Sequence, residues 1–525
     1  MIGSAMKSRI LWGTILVVLM ASLLGPVDGY AQEAAAESGE ASEIQAKVDG
    51  LLAPIDEQFG VIVGLMEKVL FWKFGLENGV PFIIVLLVSG GVFFSFRYRY
   101  INVRMFTHAI AVVRGKYDNP DDDGEISHFK ALTSALAATV GLGNIAGVAV
   151  AISLGGPGAI FWMWSTAFFG MSLKFSSCTL AQIYRRIDDD GHVLGGPMVY
   201  LKEGIKECAP NFAFLGAVLS PLFAILTMFA AIGGGNMFQS NQTYAIVAEI
   251  MGMQDFGPLK LIFGLIMAGL VGVVIIGGIK RIGDVTAKLV PAMCVGYVLI
   301  CLIIILANFG SVPALFLSIF TQAFNPEAMY GGFFGVLIVG MQRAAFSNEA
   351  GLGSAAIAHA AAKTKEPVRE GLVAMLGPFI DTIVVCTMTA LAILATSAQE
   401  IGGSDGVVIT LNAFESLWSG LSYFLGIAVF IFAYSTMISW AYYGERATEA
   451  LLGRAFILPY RIVYIIATVL GPILSLTNVL AFSDMMLLSM AFPNIIGMLF
   501  LSGKVKKMKR DYVSRLRSGE MKRVS

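Results

Sequence analysis

The sequence predicts an all-α polytopic membrane protein of eleven transmembrane helices, ten of them arranged as two five-helix units of inverted topology. Three observations carry this prediction. Of 525 residues, 57% are hydrophobic and only 14% charged, outside the range of soluble globular domains. Runs of about 20 apolar residues, enough to cross some 30 Å of hydrocarbon, recur eleven times. Lys and Arg concentrate in alternate loops between the spans.

Residues 1–31 read as a signal peptide: Lys7 and Arg9, then the apolar "ILWGTILVVLMASLLG", then small residues before Ala31. An uncleaved anchor is the competing reading, because the apolar core is about as long as a short span. Residues 32–75 follow as a periplasmic leader. Its acidic "QEAAAESGEASE" is too polar to fold alone, and Ile55 to Phe74 has the spacing of a helix lying on the outer membrane face. The transmembrane domain covers 76–503 and a basic cytoplasmic tail 504–525.

The spans lie near 80–97, 130–153, 157–184, 212–237, 259–278, 285–308, 331–361, 371–396, 420–442, 458–476 and 479–501. Segments that this count places inside carry Arg97, Arg99, Arg104, Arg114, Lys116, Arg185, Arg186, Lys280, Arg281, Lys363, Lys365, Arg369, Arg446 and Arg454. Those it places outside, around 238–258, 309–330 and 397–419, hold no Lys or Arg. The positive-inside rule then sets the mature N-terminus in the periplasm and the C-terminus in the cytoplasm of a bacterial inner membrane.

Basic and acidic residues both number 36, so net charge points to no nucleic acid, and no motif predicts an obligate protein partner. Cys178, Cys208, Cys294, Cys301 and Cys386 lack metal-ligand spacing and read as buried small hydrophobes or a cytosolic thiol. The Asp121–Asp123 and Asp188–Asp190 runs read as solvated loop charges.

Two spans are interrupted alike, at Gly141-Leu142-Gly143-Asn144-Ile145-Ala146 and at Asn348-Glu349-Ala350-Gly351-Leu352-Gly353-Ser354. They stand at matching places in weak repeats of about 130–308 and 331–501, which run in opposite directions. Paired, glycine-broken spans of this kind point to a secondary transporter and to its binding site. Close helix packing through Gly143 and Gly147 is the plainer alternative, but leaves Thr139, Asn144, Asn348 and Glu349 unexplained. A dinucleotide fingerprint at Gly141 would need a strand and a soluble βαβ unit, neither of which the sequence offers. Unwound backbone persists in a membrane only where it lines a cavity or holds a ligand. It presents N–H groups to an anion and C=O groups to a cation.

The strings "TSALAATVGLGNIAGVA", "LGGPGAIFWMW", "GGNMFQSN", "AFSNEAGLGSAAIAHAAAKT" and "YSTMISWAYYGERA" resemble the alanine or glycine:cation symporter family, which shares the inverted-repeat fold of the bacterial leucine transporter. The likeness covers all eleven spans but not the leader. It implies sodium-coupled import of alanine or glycine by a ten-helix core with one extra N-terminal span, with Na+ as coupling ion and no organic cofactor. By this resemblance Gly141, Leu142, Gly143 and Asn144 face the substrate, the amides of Leu142 and Gly143 meeting its carboxylate. The carbonyls of Ala137 and Val140 and the hydroxyls of Ser435 and Thr436 face a sodium ion.

Phe346, Asn348 and Trp440 complete the candidate pocket, Trp440 either capping it or packing within it. The hydroxyls of Ser435 and Thr436 alternatively bond back to their own helix. Of the intramembrane charges, Arg343, Glu349 and Asp381 carry either a coupling role or an internal pair, Arg343 reaching Glu349 only across the unwound segment. Asn236, Gln239 and Asn241, with Phe229 on the same helix, line the pathway or form a helix-end cluster. The alternatives are a proton-coupled amino-acid transporter using Glu349 or Asp381, a channel, and a membrane-embedded enzyme; the spans contain no catalytic motif.

Overall fold

The computed structural model describes residues 39–70, 80–119, 122–253, 257–275, 278–324, 332–401 and 405–521. The expected signal peptide lies outside the described residues. Helix α1, Gly39–Leu70, begins within the segment expected to be unfolded and is longer than the predicted 55–74. It is tethered by Asp56, whose Oδ1 accepts from the amide of Ser475 at 2.9 Å and from Asn478 Nδ2 at 2.8 Å.

Phe82–Arg97 forms α2 and Phe106–Val113 forms α3. His128–Thr139 (α4) and Ala146–Gly155 (α5) flank the first break, where the two half-helices bend by 60°. Gly158–Tyr184 (α6) runs back beside them, followed by the hairpin β1, Arg186–Ile187, and β2, Val193–Leu194, and by α7, Pro197–Cys208. Ala213–Ile232 (α8) continues through a π-helical turn at Gly233–Met237 into Phe238–Met251 (α9). Much of the expected 238–258 outer segment is therefore buried helix, because the polar side chains of Gln239, Asn241 and Gln242 find partners inside the protein.

Gly257–Ile275 (α10), Gly278–Ala307 (α11) and Val312–Gln322 (α12) follow. The second break separates Gly332–Asn348 (α13) from Ala355–His359 (α14). Pro367–Ala374 (α15) leads through another π-helical stretch, Phe379–Cys386, into Thr387–Ala395 (α16). The remaining helices are Val407–Glu415 (α17), Leu421–Leu452 (α18), Ile457–Ile473 (α19), Leu476–Ser489 (α20) and Ala491–Arg517 (α21). The last absorbs most of the expected 504–525 tail, with Lys509 and Tyr512 packed against the body of the protein.

Among the described residues seven helices are long and apolar enough to cross a membrane, or eight if the bent pair α4–α5 counts as one span. Their outward faces carry Phe229, Leu265, Val295 and Ile466 exposed, as a lipid-facing surface requires. Polar and small residues gather inside, where α4 and α5 are buried along almost their whole length.

Glycines set the closest helix approaches, but not where the sequence suggests. A Cβ at Gly147 would meet nothing within 4 Å, whereas one at Gly340 on α13 would stand 2.7 Å from Trp162 Cβ and closer still to the Ala159 carbonyl of α6. The Gly143/Gly147 packing motif is therefore not a packing motif here. Gly340→Ala is expected to destabilise by about 1–3 kcal/mol through overpacking against backbone, while Gly147→Ala is neutral or slightly stabilising by helix propensity. Thermal melts in detergent check both; equal melting temperatures for the two variants contradict the assignment.

Candidate functional site

The α4 ladder stops at Thr139, and the backbone turns through Val140 and Gly141 into a short 3-10 turn at Leu142–Asn144. Glycine at 141 is required by proximity: a Cβ there would overlap Thr436 Oγ1 and come within 3.1 Å of Gln239 Oε1. Side chains satisfy the freed backbone. Asn144 folds back to accept the Gly141 amide at 3.1 Å. Gln239 Oε1 accepts the Leu142 amide at 3.1 Å, and Thr436 Oγ1 donates to the Ala137 carbonyl at 2.9 Å. Trp440 Nε1 reaches the Ala138 carbonyl at 3.3 Å. Among the described residues the Gly143 N–H donates no hydrogen bond and the Val140 carbonyl accepts none.

At the second break Glu349 takes a left-handed conformation, φ 56°, followed by positive-φ Gly351 and Gly353. A non-glycine residue held there is strained and persists only where its surroundings fix it. Trp440 Nε1 donates to Glu349 Oε1 at 3.1 Å and Ser354 donates to the other carboxylate oxygen. Asn348 Oδ1 accepts the Ala350 amide and its Nδ2 donates to Thr382 Oγ1, both at 2.9 Å. The Asn348 carbonyl, at the negative end of α13, accepts from the buried ammonium of Lys174 at 2.8 Å. Asn494 Nδ2 holds the Gly351 carbonyl at 2.8 Å.

Asp381 joins the two breaks. Fully buried, its carboxylate accepts from Ser347 at 2.6 Å on α13, from Thr382 at 2.8 Å, and from Asn144 Nδ2 at 2.8 Å on the first break. Cys386 Sγ lies 3.3 Å from the same Asn144 amide and 3.2 Å from Ser347 Oγ, so this cysteine is part of a polar network rather than a small hydrophobe. A Cβ at Gly143 would lie 3.2 Å from Phe346 and 3.3 Å from Ser347 Cα. Phe346 in turn meets Phe238 edge-on at 5.0 Å. Thus Gly141, Leu142, Gly143, Asn144, Phe346 and Trp440 gather about the first break, with Asn348 at the second.

The structure narrows or changes several of these readings. Ser435 donates to its own helix at Phe432 O, 2.9 Å, while Thr436 alone reaches across to Ala137. Arg343 does not meet Glu349: it pairs with Asp484 on α20 and stacks over Phe346 at 5.3 Å, because the helical part of α13 keeps residue 343 a turn and a half before the break. Phe229 is exposed on the outer surface. Asn236 and Asn241 bind backbone carbonyls of Tyr464, Gly471 and Leu474 and fasten α9 to its neighbours, leaving Gln239 as the member that reaches the break. Asp122, read as a solvated loop charge, is buried and accepts the Lys365 amide at 3.1 Å.

Lys174 and Asp484 were both legible as charged residues inside apolar runs. Glu370 had a weaker signal, at the end of a loop. It accepts from Nδ1 of His128 at the start of α4 and from Nδ1 of His359 at the end of α14, the latter at 2.5 Å. One buried carboxylate thus ties together the far ends of the two broken helices.

The sequence profile of the sodium:alanine symporter family matches residues 66–525. The sodium/alanine symporter AgcS of Methanococcus maripaludis is 43% identical over 429 residues, 81% of this chain and 92% of that protein. The probable sodium/glutamine symporter GlnT of Bacillus subtilis is 35% identical, covering 87% of this chain and 93% of its own. A third relative, the putative sodium/proton-dependent alanine carrier YrbD of the same organism, is 34% identical, covering 83% and 90%. With two broken spans converging on one buried polar centre, and with these matches along most of its length, the chain belongs to the sodium:alanine symporter family of multi-pass membrane transporters.

Proposed function

We propose that the protein imports a small neutral amino acid, alanine or glycine, together with sodium by alternating access across the bacterial inner membrane. The eleven-span, five-plus-five arrangement is part of this reading. What supports it is the way matching helices of the two repeats pack: α8 on α18, and α10 on α19. The periplasmic N-terminus, the cytoplasmic C-terminus and the domain limits rest on the loop charges.

The observation that carries the reading is the set of backbone groups at the first break. The Gly143 amide, and the Leu142 amide once Gln239 releases it, form a neutral cradle for a carboxylate. The space beside Gly143 is bounded by Phe346 and Ser347, which suits a methyl or hydrogen side chain better than a large one. On the other side of the turn, the Ala137 and Val140 carbonyls with Thr436 are oxygen donors of the kind a hard cation takes. Ser435 joins them by giving up its bond to Phe432. Sodium bound there holds the break in shape, so ion and substrate favour each other's binding. Arg343–Asp484 and the His128–Glu370–His359 cluster fasten opposite ends of the broken helices, and alternating access requires the two ties to open in turn.

A second reading, proton coupling through Asp381 or Glu349, is favoured by their complete burial without a direct ion pair. A relative whose name includes proton dependence keeps that reading open. Alanine uptake into proteoliposomes separates the two. We expect uptake to follow an inward sodium gradient and to vanish when choline replaces sodium; uptake driven by a proton gradient alone overturns the first reading.

Gly143→Leu should abolish alanine binding while the protein still inserts and melts cooperatively, since the side chain fills the approach to the free amides. Normal alanine affinity in that variant removes the carboxylate assignment. Replacing Ser435 and Thr436 together with Ala should raise the sodium concentration for half-maximal alanine binding at least about tenfold, some 1.4 kcal/mol, with affinity largely restored at saturating sodium. If the sodium dependence matches the parent, both hydroxyls serve only to bond backbone.

A further inference from the structure

Away from the transport site, the inner end of α2 and the last turns of α21 enclose a cavity of about 330 Å³. Seven cationic side chains line it, and no Asp or Glu does. Arg97, Arg99 and Arg104 come from the α2 side; Lys506, Lys509 and Arg510 come from α21. Asp511, the acid nearest in sequence, pairs with Arg515, which also holds Glu366.

The basic cluster is built rather than incidental. Two consecutive non-glycine residues, Arg99 and Tyr100, take left-handed backbone at φ 56° and 51°, which turns the chain sharply and sets Arg97, Arg99 and Arg104 around one opening. Such strain is held only by its surroundings, here by the Tyr100 amide on the Ser95 carbonyl at 2.7 Å. Lys509 is 8% exposed, and its ammonium donates to the Tyr98 carbonyl at 2.8 Å. Arg97 Nε is buried with no hydrogen-bond partner among the described residues. Gathering like charges without a counter-ion is unfavourable, and a bound anion removes the cost.

The depth of the cavity identifies the anion. Immediately beside it Phe93, Phe96 and Val103 are exposed apolar side chains, facing hydrocarbon where the basic residues begin. We propose that this cavity binds the phosphate of an anionic phospholipid headgroup, in the cytoplasmic leaflet by the orientation proposed above, and so locks α2, the span outside the ten-helix core, to α21. Arginine forks match phosphate oxygens bidentately, and basic pockets between membrane helices at this level suit such headgroups.

The test is direct lipid binding to the purified full chain, which needs no transport and so stands or falls apart from the substrate reading. Native mass spectrometry should show phosphatidylglycerol retained over phosphatidylcholine. Arg99→Gln, Arg104→Gln and Arg510→Gln together should lower that retention at least about tenfold. A charge-matched control outside the cavity, Arg114→Gln, Lys116→Gln and Lys507→Gln, should keep it. All six are exposed, and a melting curve checks that both variants fold. No preference for the anionic lipid in the parent, or equal losses in both variants, overturns the proposal. Inorganic phosphate bound by the parent and lost by the cavity variant, with no lipid preference, makes the ligand a soluble phosphate and overturns the lipid assignment.

Discussion

Peptide groups left without their helical partners in hydrocarbon cost several kcal/mol each, and around the two breaks this protein is organised to meet that demand. Asn144, Gln239, Thr436 and Trp440 serve the first break; Asn348, Lys174 and Asn494 serve the second. Apart from Asn144 in the turn itself, these side chains come from five different helices, so the breaks tie the packing together. Glycine stands at 141 because a Cβ there would overlap Thr436 Oγ1, and at 143 a Cβ would lie 3.2 Å from Phe346; the π-helical turn at Gly233–Met237 brings Gln239 round to face Leu142.

Buried charge is distributed by the same logic. Asp381 is supported by three neutral donors rather than by a cation at contact distance, which leaves a carboxylate within reach of both breaks. Lys174 stands opposite, at the carbonyl end of α13, where the helix dipole favours a positive charge; Gly377 makes room, since a Cβ there would lie 3.2 Å from its ammonium. Arg343–Asp484 and the two histidines on Glu370 secure the ends. Removing one member of such a buried pair leaves the other uncompensated, at about 3–5 kcal/mol. The ties are therefore strong enough to define a conformation, and few enough to be exchanged for a bound ligand.

Helix α2 is joined to its neighbours differently. α2 packs along α6 and α21, through Asn102 Nδ2 on the Phe168 carbonyl at 2.9 Å, Tyr98 with Ser176, and Lys509 on Tyr98. Its C-terminal end is crowded with positive charge, where the buried centre holds charges of both signs.

Much of this was determined by sequence alone. Hydropathy marked out the apolar helices, because lipid accepts few polar groups, and alternating Lys/Arg content gave the orientation proposed above. The paired strings at 141–146 and 348–354 located both breaks, because glycine and asparagine inside an apolar run have few other uses there. Tertiary structure decided the partners. Arg343 faces Asp484 rather than Glu349, Ser435 bonds its own helix while Thr436 crosses to Ala137, and Gln239 occupies the Leu142 amide. Each depends on how the packed helices are rotated against one another. Periodicity says which residues share a face of one helix, but the partner across the gap is set by packing between segments 100 or more residues apart, as with Ala137 and Thr436, 299 positions distant.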